Sequence, residues 1–201
     1  TSGWFKNEIK ELDQLRGMKM RFFGLGARVM QKIGVSTQLL AGGDIFPALE
    51  KGVIDATEFS MPAMDIKYGF YQIAKNNYFP GWHQQVSVSQ LLMNKKKFDG
   101  LSDANKALVE VGCGDAIHHT YAETEYVNPF AMVEMGEKYG VVTRRWRDDQ
   151  LAVFEKAWNQ VVAEDSKKDP VFKEVNDSYA AFRKAYAKWG SAQALASTYL
   201  K

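Results

Sequence analysis

The sequence predicts an α/β protein whose strands lie in its first half and whose second half is helical. In the first sixty or so residues, short alternating apolar segments take turns with short amphipathic segments. This strand–helix–strand order predicts parallel strands joined by crossover helices. Beyond residue 102 the apolar spacing changes to steps of three and four, which indicates long helices. With 201 residues, the chain can bury the core of one or two domains.

The first-half elements follow from alternation and from helix-capping residues. In "MKMRFF" the side chains of Met18, Met20 and Phe22 share one side, which suits a strand. Asp44 is a favoured N-cap and Gly52 a favoured stop for the helix between them. We therefore expect strands at 18–23, 35–40 and 53–59, and helices at 27–34 and 44–52.

Four helices and two strands are predicted for the rest of the chain. Ser102 caps a long helix in which Pro129 predicts a kink or a break. Asp169 and Pro170 begin the last helix. Its apolar stripe, which we expect to serve packing, consists of Phe172, Val175, Tyr179, Phe182, Tyr186 and Trp189. The predicted elements are a helix at 65–76, strands at 86–94 and 140–146, and helices at 102–135, 148–165 and 170–189.

Composition argues against several classes of function. Apolar residues make up 46% and charged residues 25% of the chain, as in globular proteins. The formal net charge of +2 is small and scattered, so no nucleic-acid partner is expected. Cys113 is the single cysteine, which excludes an internal disulfide and a site with several thiolates. No segment approaches the roughly 18 apolar residues of a membrane span.

Two glycine-containing segments suggest cofactor binding, each with a plainer alternative. "VEVGCGDA" at 109–116 resembles the Gly-rich turn of S-adenosylmethionine-dependent methyltransferases, but the residues before it have helical spacing instead of a buried strand. "GLGARV" at 24–29 has two of the three glycines of a dinucleotide fingerprint. It is equally consistent with a strand-to-helix turn whose backbone amides could face an anion.

The histidines do not form a recognisable catalytic or metal site. His118 and His119 are neighbours in a predicted helix, where side chains point about 100° apart, so they cannot share a metal ion. His83 stands alone in the sequence. Since no nucleophile is paired with a base, we predict that the protein is not an enzyme.

Arg21 and Glu58 are the two charged residues with the most informative positions. Each lies at or near the end of a predicted strand, where open α/β sheets bind their ligands. Glu58 also shares a strand side with Ile54 and Ala56, so it needs a compensating cation. An arginine in this place can hold a carboxylate through two parallel hydrogen bonds. The alternative is that Arg21 and Glu58 pair with each other or with solvent.

Three longer segments, taken together in order and spacing, resemble a known family. They resemble the solute-binding subunit of tripartite ATP-independent periplasmic (TRAP) transporters, in the mannitol/chloroaromatic-type branch that binds 2-oxo acids and related carboxylates. The resemblance runs from about Gly3 to Trp189. The segments are "GWFKNEIKELDQLRGMKMRFFGLGARVMQKIG", "GGDIFPALEKGVIDATEF" and "YFPGWHQQVSVSQLLMNKKKFDGLS".

The resemblance implies roles for six residues. Arg21 would grip the substrate carboxylate, with Phe59, Met64 and Trp82 also lining the substrate site. Glu58, Phe59 and Gln84 would contribute to a site for a cation, sodium or calcium, that bridges to the substrate. Gln84 replaces a family glutamate and removes one negative charge. Ala63 and Met64 replace a Tyr-Asn pair, which should make the pocket roomier and more apolar.

The resemblance also implies a periplasmic-binding-protein-like (type II) fold with two lobes, of which this chain would hold one α/β lobe, part of the other and long C-terminal helices. The sequence opens on "TSGWFKNEI" without an initiator methionine, so we expect the C-terminal part of a longer protein. The expected partners are a small-molecule carboxylate, the TRAP membrane subunits, the missing N-terminal lobe and a second copy in a homodimer; the expected location is the periplasm. We expect 1–57 in the second lobe, 58–90 in the first lobe and hinge, 91–168 in the second lobe, and 169–201 in a long C-terminal helix.

Two other functions compete with solute binding. A methyltransferase-like enzyme would need a strand–loop–helix around Gly112 to Asp115, whereas a continuous helix there would exclude it. A helical interaction module that uses the stripe at 172–189 would be favoured if the α/β half formed no cleft.

Overall fold

A computed structural model describes residues 1–193, so residues 194–201 of the predicted C-terminal helix lie outside the described residues. In chain order the elements alternate between strand and helix up to residue 79 and are mainly helical afterwards. The strands are β1 Gly3–Phe5, β2 Lys19–Arg21, β3 Ser36–Gln38, β4 Ala56–Thr57, β5 Asn76–Phe79 and β6 Val142–Arg145. The helices are α1 Gly24–Lys32, α2 Gly42–Glu50, α3 Pro62–Tyr68, α4 Lys95–Asp99, α5 Asp103–Tyr139, α6 Asp148–Lys168 and α7 Pro170–Gln193, with 3-10 turns at Leu12–Leu15 and Phe70–Gln72.

The six strands form one mixed sheet in the order β3-β2-β4-β1-β5-β6. Strand β2 pairs in parallel with both β3 and β4, as expected for strands joined by crossover helices. Strand β1 runs antiparallel to its neighbours β4 and β5, and β5 is parallel to β6. The α/β prediction is therefore confirmed.

Two apolar clusters cover the sheet, and β1 contributes to both. Trp4 packs in a cluster with α2, α3 and the end of α5, whereas Phe5 packs in a cluster with α1 and α6. Successive strand residues point to opposite faces, so this split places the two clusters on opposite faces of the sheet. On the second face, Phe5, Tyr78 and Trp146 form a compact aromatic group, with Tyr78 and Trp146 ring centroids 4.2 Å apart.

The strand predicted at 86–94 is wrong. This segment has no regular secondary structure and pairs with no strand among the described residues, and Val86, Val88 and Leu91 are each more than 60% exposed. Alternating apolar residues favour extended backbone, yet a strand forms only where another strand accepts its hydrogen bonds.

The helix predicted at 65–76 is too long. It ends at Gly69, whose φ of +75° is left-handed and favours glycine, and a 3-10 turn follows. Asn76 then begins β5, where its side-chain nitrogen donates to the carbonyls of Phe5 and Lys6. Strands β1 and β5 were not predicted, because their sequences, GWF and NNYF, show no alternation of apolar and polar residues.

The long helix α5 decides between two of the competing functions. It continues from Asp103 to Tyr139, so it does not break at Pro129, and it includes Gly112 to Asp115 without interruption. A Gly-rich cofactor turn is therefore absent from that segment, and the methyltransferase alternative is rejected. No helix among residues 1–193 is both long and apolar enough to cross a membrane.

Gly112 within α5 and Gly140 directly after it test the assignment of this helix. Gly112 is exposed in the helix interior, and a Cβ added there would meet no atom within 4 Å, so Gly112→Ala should raise the free energy of unfolding by about 0.5–1 kcal/mol. Gly140 ends the helix at a left-handed φ of +66°, so Gly140→Ala should lower that free energy by about 1 kcal/mol. Urea denaturation measures both. A loss of stability in Gly112→Ala would contradict the helix.

Candidate functional site

Arg21 and Glu58 lie side by side because β2 and β4 are neighbouring parallel strands. Arg21 is in register with Thr57, and the Glu58 backbone N–H donates to the Arg21 carbonyl at 3.0 Å. Both residues are buried, with 7% and 5% of their surface exposed. The carboxyl ends of parallel strands are the usual ligand site of open α/β sheets, so this pair stands where a ligand is expected.

The two side chains form a buried ion pair, as one of the sequence alternatives predicted. The Arg21 Nη1 group donates to Oε2 of Glu58 at 2.9 Å and to the Glu58 carbonyl at 2.7 Å. Its Nε–H donates to the Leu40 carbonyl at 3.3 Å. Within residues 1–193, Nη2 donates no hydrogen bond. One arm of the guanidinium fork is therefore free to bind a further acceptor.

His83 lies against Glu58, although it was not predicted as a site residue. Its Nε2 lies 3.5 Å from Oε1 of Glu58, and only 7% of the His83 side chain is exposed. The Nδ1 atom is buried and has no hydrogen-bond partner among the described residues. The available signal was its position between Trp82 and Gln84, both of which the family resemblance implicated.

Phe59 forms an aromatic wall beside Arg21. The Arg21 Cζ atom lies 5.4 Å from the centre of the Phe59 ring, within the range of a cation–π contact. Phe59 is held edge-on by Tyr68 and Phe70, at centroid distances of 4.7 and 5.9 Å. The structure therefore brings Arg21, Glu58 and Phe59 together, and the binding roles that the resemblance implies for them stay predictions.

The other predicted site residues lie farther from the ion pair. The Trp82 ring stacks on Phe154 of α6 at 4.9 Å and contacts His83 edge-on at 5.3 Å. Met64, on α3, is 46% exposed. The exposed Gln84 side chain donates to Oγ of Ser87 at 2.7 Å. Neither Met64 nor Gln84 contacts the ion pair through a hydrogen bond in the described part of the chain.

Asp65 is a second charged residue that was not predicted. Its side chain is fully buried, its Oδ2 accepts from the Trp4 indole N–H at 2.7 Å, and its Oδ1 accepts from the Ser60 backbone N–H at 3.0 Å. Burial raises the pKa of Asp65 to about 6, against the hydrogen bonds from Trp4 and Ser60, which favour the charged form. Its sequence signal was weak, because Asp65 stood only at the start of a predicted helix.

A cavity of about 850 Å³ opens beside His83. It lies between the start of α1, the 82–86 segment, α6 and α7, and its volume is in the range of small-molecule sites. Its walls combine aromatic, aliphatic and polar side chains, and His83 connects it to the ion pair. Its lining includes Phe23, Trp82, His83, Trp158, Tyr179 and Arg183.

The residues implied for a cation site offer the right kind of ligand atom, oxygen, but too few of them to complete the coordination of a cation. Sodium and calcium prefer oxygen ligands, and calcium takes about six to eight of them. Glu58 offers a carboxylate, Gln84 an amide oxygen, and Phe59 only its backbone carbonyl. Among residues 1–193 no group of three His, Cys, Asp or Glu side chains could hold a metal ion. Glu58 is nonetheless compensated by the positive charge of Arg21, and its other oxygen faces the His83 ring.

Comparison with known proteins gives a consistent family. The family model "Bacterial extracellular solute-binding protein, family 7" matches residues 1–169. A monocarboxylate 2-oxoacid-binding periplasmic protein of Nostoc sp. is 32% identical over 187 residues, which are 93% of this chain and 51% of that protein. The chain thus spans about half the length of the curated relative that it matches.

Solved structures agree in fold. A TRAP transporter solute-binding protein from Bordetella bronchiseptica, a mixed-occupancy dimer with copurified calcium and picolinate, superposes with a TM-score of 0.87 at 32% identity, over 96% of this chain and 57% of that one. A TRAP periplasmic solute-binding protein from Colwellia psychrerythraea, with bound calcium and pyruvate, gives 0.85 at 26% identity, over 95% and 58%. A third, from Pseudoalteromonas atlantica with bound sodium and pyruvate, gives 0.85 at 25% identity, over 96% and 58%.

Proposed function

This chain belongs to family 7 of the bacterial extracellular solute-binding proteins, and from this premise we propose its function. We propose that it forms the part of a periplasmic TRAP transporter subunit that binds the carboxylate of the ligand. Its ligand is a small organic monocarboxylate, such as a 2-oxo acid. The observation that carries the proposal is the buried Arg21 at the end of β2, with one arm of its guanidinium free of partners in the described chain. The relatives that bind pyruvate or picolinate support this ligand class.

Ligand capture at Arg21 is an exchange of carboxylates. A ligand first meets Nη2, and a two-point grip then requires it to replace Oε2 of Glu58 at Nη1, since Nε already donates to Leu40. The Glu58 carbonyl remains on Nη1 and holds the guanidinium in its orientation. The protein thus presents a pre-oriented arginine whose charge is compensated by Glu58 until the ligand arrives.

The organic part of the ligand lies against apolar surfaces. Phe59 supplies a flat ring beside Arg21, and Trp82 and Met64 extend the lining toward the cavity and α3. Ala63 and Met64 add no charged group, which suits a carboxylate with an apolar substituent. The assignment of these residues to the substrate follows the family resemblance together with the position of Phe59.

A sodium or calcium ion joins the proposal through Glu58. Once the ligand carboxylate occupies Arg21, Glu58 lacks its compensating charge, and two carboxylates in one site repel each other. Glu58, with the Gln84 amide oxygen and the Phe59 carbonyl, would hold the cation. When bound, the cation supplies the positive charge that lets both carboxylates remain ionised.

Delivery to membrane subunits completes the proposed role, and it requires no catalysis by this chain. The lobe assignment stays a proposal: residues 58–90 belong to the first lobe and hinge, and 1–57 and 91–168 to the second. Within 58–90, β5 pairs with both β1 and β6, so this part of the segment is continuous with the sheet. In this proposal an N-terminal lobe of the longer protein would close over the Arg21 site.

A homodimer through α7 is the last part of the proposal. The stripe on α7 is exposed from Val175 onward, with Tyr179 at 56%, Phe182 at 62% and Trp189 at 60%. Contiguous apolar surface of this kind usually marks an interaction site. The steps of three and four along the stripe suit pairing with the same helix of a second copy.

The central test replaces Arg21. In the full-length protein, Arg21→Lys keeps the charge but removes the two-point fork, so we expect pyruvate affinity to fall by about 1.5–3 kcal/mol in calorimetry. Arg28→Lys is the matched control, because Arg28 pairs with Asp165 of α6 outside the site and its substitution should leave affinity unchanged. Equal affinity of Arg21→Lys and the wild type would remove Arg21 from the site.

Two substitutions test the cation, because one removes a negative charge from the proposed cation site and the other adds one. Pyruvate binding should weaken after chelation and dialysis into choline salts, and Glu58→Gln should reduce this dependence. Gln84→Glu adds a carboxylate and should lower the cation concentration needed by about tenfold. Calorimetry across a cation titration measures all three proteins. Binding that ignores sodium and calcium would show that this chain uses no cation.

The dimer is tested by placing a charge within the stripe. Phe182→Glu puts a carboxylate in the middle of the apolar surface and should convert the dimer into a monomer in analytical ultracentrifugation. Lys184→Glu introduces the same carboxylate two residues away, off the stripe, and should leave the dimer intact. A wild-type protein that is monomeric at micromolar concentration would contradict the dimer.

A further inference from the structure

The segment between β4 and α3 carries the two residues that flank Arg21. Glu58 and Phe59 begin this segment, and Ser60 follows them directly. At its start, the Glu58 N–H donates to the Arg21 carbonyl at 3.0 Å. Beyond this hydrogen bond the segment leaves the sheet. The Glu58 carbonyl accepts from Arg21 and the Phe59 ring packs against aromatic neighbours, and the next backbone hydrogen bonds of the segment are those of Ser60.

Both backbone groups of Ser60 are hydrogen-bonded. Its N–H donates to Oδ1 of Asp65 at 3.0 Å, and its carbonyl accepts from the backbone nitrogen of Thr1 at 2.9 Å. The other carboxylate oxygen of Asp65 accepts from the Trp4 indole N–H at 2.7 Å. Asp65 therefore ties the segment after Glu58 to β1, in the middle of the sheet.

We propose that Asp65 is a positioning residue, which holds the 58–60 segment on Trp4 and thereby keeps Glu58 and Phe59 in place around Arg21. The inference rests on the proposed function, because its consequence is the affinity of the Arg21 site. No hydrogen bond or ion pair joins Asp65 to Arg21 in the described structure, so Asp65 acts through Ser60.

The chemistry of the two donors explains why the residue is a carboxylate. The Trp4 and Ser60 groups are both N–H donors, and an ionised carboxylate can accept from both. An asparagine has one oxygen, so its NH₂ group would face one of the two donors. Burial disfavours the charged form of Asp65 and raises its pKa to about 6, which indicates that its ionised state carries a cost.

Hydrogen bonds also hold α3, the helix that carries Asp65, and they define where its carboxylate lies. Pro62 begins α3, the Ala63 N–H donates to Oδ1 of Asn128 on α5 at 2.9 Å, and the Asp65 N–H donates to the Met61 carbonyl at 2.9 Å. The position of Asp65 therefore follows from α5 and β1, both of which lie outside the site.

The test uses the full-length protein, with pyruvate as the ligand probe and amide hydrogen exchange as a readout that needs no ligand. Asp65→Asn should weaken pyruvate binding about tenfold or more and speed exchange of the Ser60 amide by a similar factor, while sheet amides change less. Val161→Ala, a buried truncation on α6, serves as the stability control and should change affinity less than about twofold. Adding Trp4→Phe to Asp65→Asn removes the opposing donor and should recover part of the Ser60 protection and of the affinity.

The outcomes separate this inference from the proposed function. Unchanged Ser60 exchange in Asp65→Asn, or an equal affinity loss in Val161→Ala at matched melting temperature, overturns the positioning role. If wild-type protein fails to bind pyruvate, the proposed ligand is wrong, and Ser60 exchange alone decides the role of Asp65. If Asp65→Asn does not fold, the wild-type exchange rate decides: the role requires a Ser60 amide as protected as that of Glu58, and a freely exchanging Ser60 overturns it.

Discussion

The buried ion pair between Arg21 and Glu58 is the interaction on which the chemistry of this protein depends. Removing two charges from water costs several kcal/mol for each ion, so the pair persists only with good geometry and additional hydrogen bonds. The structure supplies both, through the parallel register of β2 and β4 and through the carbonyls of Leu40 and Glu58. Because the sheet fixes both backbones, the guanidinium needs little reorganisation to receive another carboxylate.

The surroundings of the pair can be understood from the same constraint. His83 faces the second oxygen of Glu58, and Phe59 covers one side of the guanidinium, so water has little access to either charge. Asp65 fixes the segment that carries Glu58 and Phe59, at the cost of burying another carboxylate. In such an environment a ligand carboxylate competes with Glu58 more than with water, which favours small anions of matching geometry.

The sequence was most informative where a local pattern and the fold agree. Arg21 and Glu58 could be found because each ends a segment with an apolar strand pattern, and the last helix because its caps and stripe are regular. The sequence signal was weaker for the other two charged or polar residues: His83 had only its position next to Trp82, and Asp65 ends no strand pattern and meets its partner Trp4 only in the folded chain. The strand predicted at 86–94 failed for the opposite reason: its local pattern was clear, but no strand in the described structure pairs with it.

A crystal structure of the full-length protein with pyruvate would test the carboxylate exchange most directly. We predict that both oxygens of the pyruvate carboxylate lie within hydrogen-bond distance of the Arg21 guanidinium, with Oε2 of Glu58 displaced from Nη1. The Glu58 carbonyl should keep its hydrogen bond to Nη1. A structure in which Arg21 keeps its full pairing with Glu58 while pyruvate occupies the cavity between Trp82 and Trp158 would contradict the exchange.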